Sequence, residues 1–316
     1  IREIRLVPHG AEGFSNGMAD FQSVIVSEKP EKIETTFIFV GDIMLGRGVE
    51  WRISKNSSDF NFPFLKIRNY LKKADLVFGN LEGPISDKGK NQGSEYSFRF
   101  RPEVVGALRD AGFKVLSLAN NHIWDWGEEA ILDTISNLDG AGIGAVGVGR
   151  NYEEANQPYF LDVKNLRVAF LAYTNLYPRS LAAKVGSPGV SDFDLEKIRE
   201  RIEGAKSQAD LVIVSIHWGE EYETSANDWQ KKIAHALVDA GADVIVGHHP
   251  HVPQEVEEYK GSWIFYSLGN FVFDQGFSKE TMEGMLVKLE VVDKKIASVK
   301  PVIFKINDDF QPYLPE

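Results

Sequence analysis

The sequence contains no cysteine among its 316 residues. Disulfide frameworks, cysteine-ligated zinc sites and thiol catalysis are therefore excluded. Long apolar runs are missing as well, since no segment approaches the roughly 20 apolar residues that a membrane-spanning helix needs. Proteins without cysteine occur in the cytosol and at the cell surface, so this absence does not indicate a compartment.

Positive charge is scarce. Lysine and arginine number 35 against 46 aspartates and glutamates, which leaves a net charge of −11. Non-specific binding to nucleic acid depends on cationic side chains that neutralise phosphates. We therefore expect no nucleic-acid partner, and a polyanionic substrate would need a local positive centre such as a metal ion.

Short apolar runs alternate with amphipathic stretches from Thr35 onward. Runs such as 37–40 and 168–173 are typical of buried strands. Between the runs lie helical patterns, one from Pro102 to Gly112 and one that opens with Asp125 and Glu128 as a capping box. The alternation predicts a layered α/β fold.

The two ends of the chain show other patterns. Residues 285–292 and 299–306 alternate like antiparallel strands. Residues 1–34 show no sustained period and predict an irregular arm with at most one edge strand. We therefore expect an N-terminal arm over 1–34 and a single α/β domain over 35–316.

Polar and ionisable residues follow directly after six of the apolar runs. The segments concerned are 41–47, 79–84, 119–122, 215–220, 247–252 and 267–274. In α/β sheets, ligands bind outside the carboxyl ends of the strands. Mainly parallel strands would therefore gather one set of side chains: Asp42, Asn80, Glu82, Asn121, His122, His217, His249 and His251.

These side chains offer imidazole, carboxylate and amide donors without a thiolate, a combination that suits Mn, Fe or Zn. Two such ions about 3.5–4 Å apart can activate a water and clamp a phosphoryl or carbonyl oxygen. The sequence thus predicts a site for one or two divalent metal ions.

Six motifs in order carry a family resemblance, namely GDIMLGR, GNLEGPIS, LANNH, IHWGEEY, GHHPHV and SLGNFVFD. The set resembles the CapA-type bacterial capsule synthesis proteins, which are associated with poly-γ-glutamate capsules. Those proteins are in turn similar to calcineurin-like metallophosphoesterases. The resemblance covers about residues 37–274 and implies a layered α/β/β/α sandwich with mixed sheets.

The resemblance also implies a ligand set. Asp42 matches the first metal-binding aspartate, while Met44 stands where the phosphoesterase pattern has histidine. Asn80 stands where a bridging aspartate is usual, and Glu82 is expected to take over part of that role. The remaining ligands implied by the resemblance are Asn121, His217, His249 and His251.

Four further residues are assigned around the reaction. His122 is expected to protonate the leaving group or hold the transition-state oxygen, with a metal-activated water as the nucleophile. Arg47 would bind a substrate anion, or instead pair with a carboxylate. Asn270 and Glu220 are assigned to substrate binding, with loop ordering and a solvated acidic face as their alternatives.

The resemblance implies a capsule or poly-γ-glutamate biosynthesis protein with a metal-dependent hydrolase site. Its substrate would be a phosphoester, or an amide or ester in a cell-surface polymer. The alternative is a non-catalytic partner of a membrane-bound capsule synthase that binds or passes on the polymer. Either reading places the protein at the cell surface, held there by a segment that precedes Ile1.

Overall fold

The apolar runs form strands, and the ends of those strands differ by a few residues from the predicted ones. The computed structural model describes residues 32–315. Its strands are β1 Glu34–Ile43, β2 Leu76–Leu81, β3 Phe113–Ser117, β4 Gly144–Val146, β5 Val148–Gly149, β6 Tyr159–Val163, β7 Leu166–Thr174, β8 Gly189–Val190, β9 Leu211–His217, β10 Val244–His248, β11 Val256–Tyr259, β12 Ser262–Phe265, β13 Asn270–Val272, β14 Glu283–Val292, β15 Lys295–Ile306 and β16 Pro312–Tyr313.

Helices lie between the strands, and among the described residues only one short 3-10 turn follows β13. They are α1 Arg47–Lys55, α2 Arg68–Leu71, α3 Val104–Ala111, α4 Gly127–Gly140, α5 Tyr152–Asn156, α6 Leu195–Lys206 and α7 Asp228–Asp239. Three single 3-10 turns are formed by Phe62–Phe64, Arg179–Leu181 and Glu280–Met282. From Glu34 onward, the described residues form one compact unit.

Two mixed sheets make up the centre of this unit. The larger has the order β16-β15-β14-β1-β2-β3-β4, with β13 pairing beside the end of β1. The smaller has the order β11-β12-β10-β9-β7-β6. Within each sheet, the strands that carry the polar segments pair in parallel. Their carboxyl ends therefore lie at the same edge of each sheet, where ligands bind in α/β folds.

The sheets pack face to face, and helices cover their outer sides. Phe78 on β2 and Phe170 on β7 stack with ring centroids 5.6 Å apart, which joins the two sheets through one apolar core. Helices α6 and α7 bury a second apolar cluster against the smaller sheet, and α3 and α4 contact β3 and β4. The predicted α/β/β/α layering is confirmed.

Two local predictions turned out differently. The predicted helix from Pro102 begins at Val104, and Gly112 ends it with a φ of 104° as expected for a C-terminal glycine. The capping box of Asp125 and Glu128 is wrong, because Trp126 occupies the N-cap of α4 without a side-chain hydrogen bond. The carboxylate of Asp125 instead contacts Ser94, the amide of Phe98 and His122.

The predicted arm lies outside the described residues, apart from its last three. Within residues 32–315, no helix combines the length and the apolar character needed to cross a membrane.

Candidate metal centre

The strand ends bring the candidate ligands together. Asp42 on β1 is in register with Asn80 on β2 and with Asn270 on β13. On the other sheet, His217 ends β9 in register with His248 at the end of β10. The rings of His217 and His249 lie 4.8 Å apart, so the two histidines share one cleft.

Two sets of donor atoms within this cleft are close enough to hold a metal ion. One set comprises Asp42, Glu82 and His217, and the other comprises Glu82, His249 and His251. Within each set the donor atoms lie within 4.8 Å of one another, and all five side chains are buried. Glu82 belongs to both sets, which is the arrangement of a shared carboxylate between two adjacent sites.

The polar atoms of this cleft fit a cation. Both carboxylate oxygens of Glu82 and Nδ1 of His249 are buried without a hydrogen-bond partner among residues 32–315. Such groups are costly inside a protein unless they are paired or bind a metal. A divalent ion would satisfy them, and nitrogen and oxygen donors suit Mn, Fe or Zn.

Burial sets the protonation of these groups. It lowers the pKa of His249 and of His251 to about 4, and that of His217 well below its usual value. Burial and the nearby charge of Asp42 raise the pKa of Glu82 well above its usual range. The imidazoles are therefore neutral at pH 7, which is the form that binds metals.

Histidines 249 and 251 sit in strained backbone. Their φ angles are 97° and 60°, in the left-handed region that residues other than glycine rarely adopt. The amide N–H of His249 donates to Oδ2 of Asp42 at 3.1 Å. Asn270 accepts from Nδ1 of His251 at 3.0 Å, so Nε2 presents its lone pair towards Glu82, 3.7 Å away.

Asp42, a member of the first donor set, contacts polar side chains from both sheets. Oδ1 accepts a hydrogen bond from the amide nitrogen of Asn80 at 2.9 Å and lies 3.3 Å from Nδ1 of His248. Burial alone would raise the pKa of Asp42, but His248, His251 and Asn80 outweigh it and the pKa is lowered. Asp42 is thus an anionic donor.

The two departures from the phosphoesterase pattern have clear geometry. The amide nitrogen of Asn80 faces both Asp42 and Nδ1 of His217, the latter at 3.3 Å. The Asn80 oxygen accepts from Asn120 at 3.1 Å and so points away from the donors. The sulfur of Met44 accepts from the amide of Gly46 at 3.2 Å. Neither side chain presents a free donor atom to the first set.

Asn121 and His122 lie beside the ligands. Oδ1 of Asn121 accepts from Nε2 of His217 at 2.9 Å. Nδ1 of His122 is 2.8 Å from Oδ2 of Asp125, while its Nε2 lies 4.0 Å from Oε1 of Glu82. The imidazole of His122 packs on Phe98 with centroids 4.0 Å apart. His122 therefore faces the cleft from a fixed orientation.

A cavity of about 320 Å³ leads from His122 and His251 to the surface. It is lined by Arg47, Tyr96, Phe98, His122, Glu221, Tyr222, His251, Asp274, Gln275 and Phe277. The guanidinium of Arg47 pairs with Asp274 at 2.8 Å and lies over the Phe98 ring, which is the pairing alternative for this arginine.

The two substrate-binding assignments differ in position. Asn270 is buried and holds His251, so it lies behind the ligands and outside the cavity wall. Glu220 is exposed, and the neighbouring Glu221 is the acid that lines the cavity. The composition of this loop does not tell which of two neighbouring glutamates faces the cavity.

Sequence reasoning missed three residues of the site. His248 is outside the predicted ligand set, yet it is fully buried beside Asp42. Asp125 holds His122, and also accepts from the amide of Phe98 and the hydroxyl of Ser94, both at 2.8 Å. Asn120 orients Asn80. His248 and Asn120 directly precede His249 and Asn121, and Asp125 follows His122 by three residues. This closeness in sequence was the available signal.

Comparison with a solved structure defines the class of fold. The chain superposes on a phosphatase from Mycoplasma pneumoniae with a TM-score of 0.53, covering 90% of this chain and 96% of that one at 16% sequence identity. Together with the two mixed sheets, this shows the metallophosphoesterase-type α/β sandwich.

The sequence comparison goes further and shows the family. The family model for the bacterial capsule synthesis protein PGA_cap matches residues 36–275, and the chain belongs to that family. It is 39% identical over 286 residues to the capsule biosynthesis protein CapA of Bacillus anthracis. It is 40% identical over 253 residues to the PGA biosynthesis protein CapA of Bacillus subtilis strain 168.

The matches cover 88% and 79% of this chain. They cover 69% of the Bacillus anthracis protein and 66% of the Bacillus subtilis protein, so the chain spans about two thirds of their length. The predicted family resemblance is confirmed.

Proposed function

We propose that this protein acts in capsule poly-γ-glutamate biosynthesis at the cell surface and carries a metal-dependent hydrolase site of the phosphoesterase type. The single observation that carries the hydrolase site is the convergence of five buried donors on one cleft, with Glu82 shared between two sets. The biosynthetic setting is supported by the family and by the two CapA relatives.

Asp42, Glu82, His217, His249 and His251 would hold one or two divalent ions, with Asn121 beside them. A bound ion supplies Lewis acidity and an acidified water at neutral pH. The protein's own part is to keep the imidazoles neutral and to fix their rings through Asn270 and Asn121.

His122 is the proton donor of the proposal. In its imidazolium form, Nδ1–H donates to Asp125 and Nε2–H faces the cavity. The carboxylate of Asp125 holds the ring and compensates its charge, so the proton on Nε2 lies where a leaving group can take it. The scissile group would be a phosphoester, or an amide or ester in a cell-surface polymer.

Elemental analysis and turnover of 4-nitrophenyl phosphate test this function together. The wild-type protein should copurify with, or take up, Mn, Fe or Zn and hydrolyse the ester. His217→Ala should lose most of the metal and the activity. His235→Ala is the matched control, because His235 lies on α7, where its Nε2 is 2.8 Å from Glu257.

Retained metal in the His217 variant would contradict the ligand assignment. Metal without turnover on any phosphoester, amide or ester substrate would contradict the hydrolase and leave the second candidate.

The second candidate is a non-catalytic partner of a membrane-bound capsule synthase. One observation favours it. Asn80 turns its amide nitrogen, which cannot bind a cation, towards Asp42 and His217. A site weakened in this way could bind metal and polymer without turnover. Specific binding of poly-γ-glutamate to a metal-loaded but inactive protein would support this function.

A further inference from the structure

Three large aromatic side chains stand exposed around the mouth of the cavity. Phe277 is 63% exposed, Tyr96 62% and Tyr222 42%. They come from three separate loops, and all three line the cavity that reaches His122 and His251. Single exposed aromatics need no explanation, but a cluster around a cavity with polar groups at its floor is typical of a binding site.

Tyr222 is held in place at a conformational cost. Its φ is 68°, in the left-handed region that is unfavourable for an aromatic residue. Its amide donates to the carbonyl of Pro250 at 2.8 Å, and its ring meets Phe277 edge to face with centroids 5.0 Å apart. Backbone strain of this kind persists where the surroundings impose it, often at ligand sites.

A chain of hydrogen bonds links Tyr222 to the candidate metal ligands. The amide nitrogen of Gln275 donates to the Tyr222 hydroxyl at 3.3 Å, and its oxygen accepts from Asn270 at 3.0 Å. Asn270 in turn accepts from His251 at 3.0 Å. The position of the aromatic mouth is therefore fixed relative to the donor cluster.

The charge at the mouth does not suit a polyanion. Arg47 is the arginine of the lining, and Asp274 pairs with its guanidinium at 2.8 Å. Glu221 adds a negative charge to the lining, and Glu220 and Glu223 are exposed on either side of it. A chain of carboxylates would meet repulsion here, whereas an uncharged ring would not.

We propose that Tyr96, Tyr222 and Phe277 form an aromatic subsite for a ring with apolar flat faces. The ring, a sugar or an aromatic group, would be attached to the scissile phosphoryl group at the cavity floor. This inference rests on the proposed hydrolase site and names its substrate class. The ring-bearing group lies against the mouth, and the anionic group lies at His122, His251 and the metal ligands.

Binding of three non-hydrolysable probes to the metal-loaded protein tests the subsite, with calorimetry as the readout. Methylphosphonate carries no ring, phenylphosphonate carries an aromatic ring, and a glucosyl phosphonate carries a sugar ring. The ring-bearing probe that fits should bind about three- to tenfold more tightly than methylphosphonate, as one or two aromatic contacts allow. The preferred probe identifies the source of the ring.

Removal of the aromatic side chains at the mouth should abolish the preference for a ring-bearing probe and leave the binding of the phosphonate group unchanged. Tyr96→Ala and Phe277→Ala, separately and together, should bring the ring-bearing probe to the affinity of methylphosphonate, whose own affinity stays unchanged. Tyr96→Phe should keep the preference. The matched control is Trp51→Ala, which removes an aromatic side chain that is 53% exposed and is not part of the cavity lining.

Equal binding of all three probes to the wild type would overturn the subsite and leave the hydrolase site standing. A preference that persists in the double variant would overturn it as well, as would tighter binding of a γ-glutamate hexamer than of either ring-bearing probe. If no phosphonate binds although metal is present, the proposed hydrolase site itself fails, and the subsite with it.

Discussion

The amide nitrogen of Asn80 donates a hydrogen bond to Oδ1 of Asp42 at 2.9 Å, across two parallel strands whose partners are in register at this position. An amide therefore stands where a second anion would otherwise face Asp42. The contact keeps the apo cleft from holding three carboxylates, and it limits the negative charge available to a cation.

Asn80→Asp should consequently tighten the binding of Mn²⁺ and raise the number of ions bound. Titration calorimetry measures both. The same change should lower the melting temperature of the metal-free protein, because three buried carboxylates repel one another. Asn80→Ala is the control that removes the amide without adding charge. Unchanged Mn²⁺ affinity in Asn80→Asp would show that residue 80 lies outside the metal site.

His122→Ala should leave the metal content in place and reduce turnover by about 10²–10⁴, the usual contribution of a positioned acid or base. Asp125→Asn should reduce the rate as well, since Asp125 orients the ring at 2.8 Å. Elemental analysis and the rate are measured on the same samples. If His122→Ala lost as much metal as His217→Ala, His122 would be a metal ligand.

His248→Phe should weaken metal binding by about 10–100-fold, the usual effect of losing a group that orients a ligand. His248 is buried with its Nδ1 3.3 Å from Oδ1 of Asp42, and its Nε2 has no hydrogen-bond partner among residues 32–315. Phenylalanine removes that unpaired nitrogen, so the metal-free variant should melt at a higher temperature. A lower melting temperature with normal metal affinity would contradict the orienting role.

Glu82→Gln should stabilise the metal-free protein increasingly as the pH rises above about 4.5. The folded protein raises the pKa of Glu82, so between its unfolded and folded pKa values the folded state binds the extra proton. Stability is then lost as the pH rises, and glutamine removes that loss. Denaturant unfolding of both proteins from pH 4 to 8 measures the difference, which should reverse in sign when saturating Mn²⁺ is added.

Gly41→Ala should destabilise the protein by more than about 3 kcal/mol, because its Cβ would lie 1.8 Å from the carbonyl oxygen of Gly269. That carbonyl accepts from the amide of Asp42 at 2.9 Å, so metal binding should weaken too. Gly204→Ala, in α6 with nothing within 4 Å, should instead stabilise the protein by about 0.5–1 kcal/mol. Similar unfolding free energies for the two variants would contradict this.

Strand-end position was the sequence signal for the candidate donor cluster. Asp42 and Asn80 follow apolar runs that pair in parallel in the larger sheet, and His217 follows a run that pairs in parallel with β10 in the smaller sheet. Such positions can be predicted because the pattern of burial is local. An apolar run with a polar residue at its end can be recognised within ten residues, before any partner strand is known.

The roles within the cluster depended on contacts that no local pattern contains. The amide of His249 reaches Asp42 across 207 residues, and Nε2 of His217 reaches Asn121 across 96. The spacing of Asp125 to Glu128 predicts a helix cap, but in the structure its carboxylate contacts the amide of Phe98 and Nδ1 of His122. Local hydrogen-bond rules cannot weigh a partner brought in from another loop.

The sequence by itself determined which residue types stand at the strand ends. An apolar run and the polar residue that follows it are neighbours in the chain, so this pattern is visible without the tertiary structure. The packing of two sheets on a common core decided the rest. It turned Glu221 and not Glu220 into the cavity, placed His248 behind Asp42, and assembled Tyr96, Tyr222 and Phe277 at one mouth. Those positions depend on how three loops and two sheets fit together, and that fit is a property of the whole folded chain.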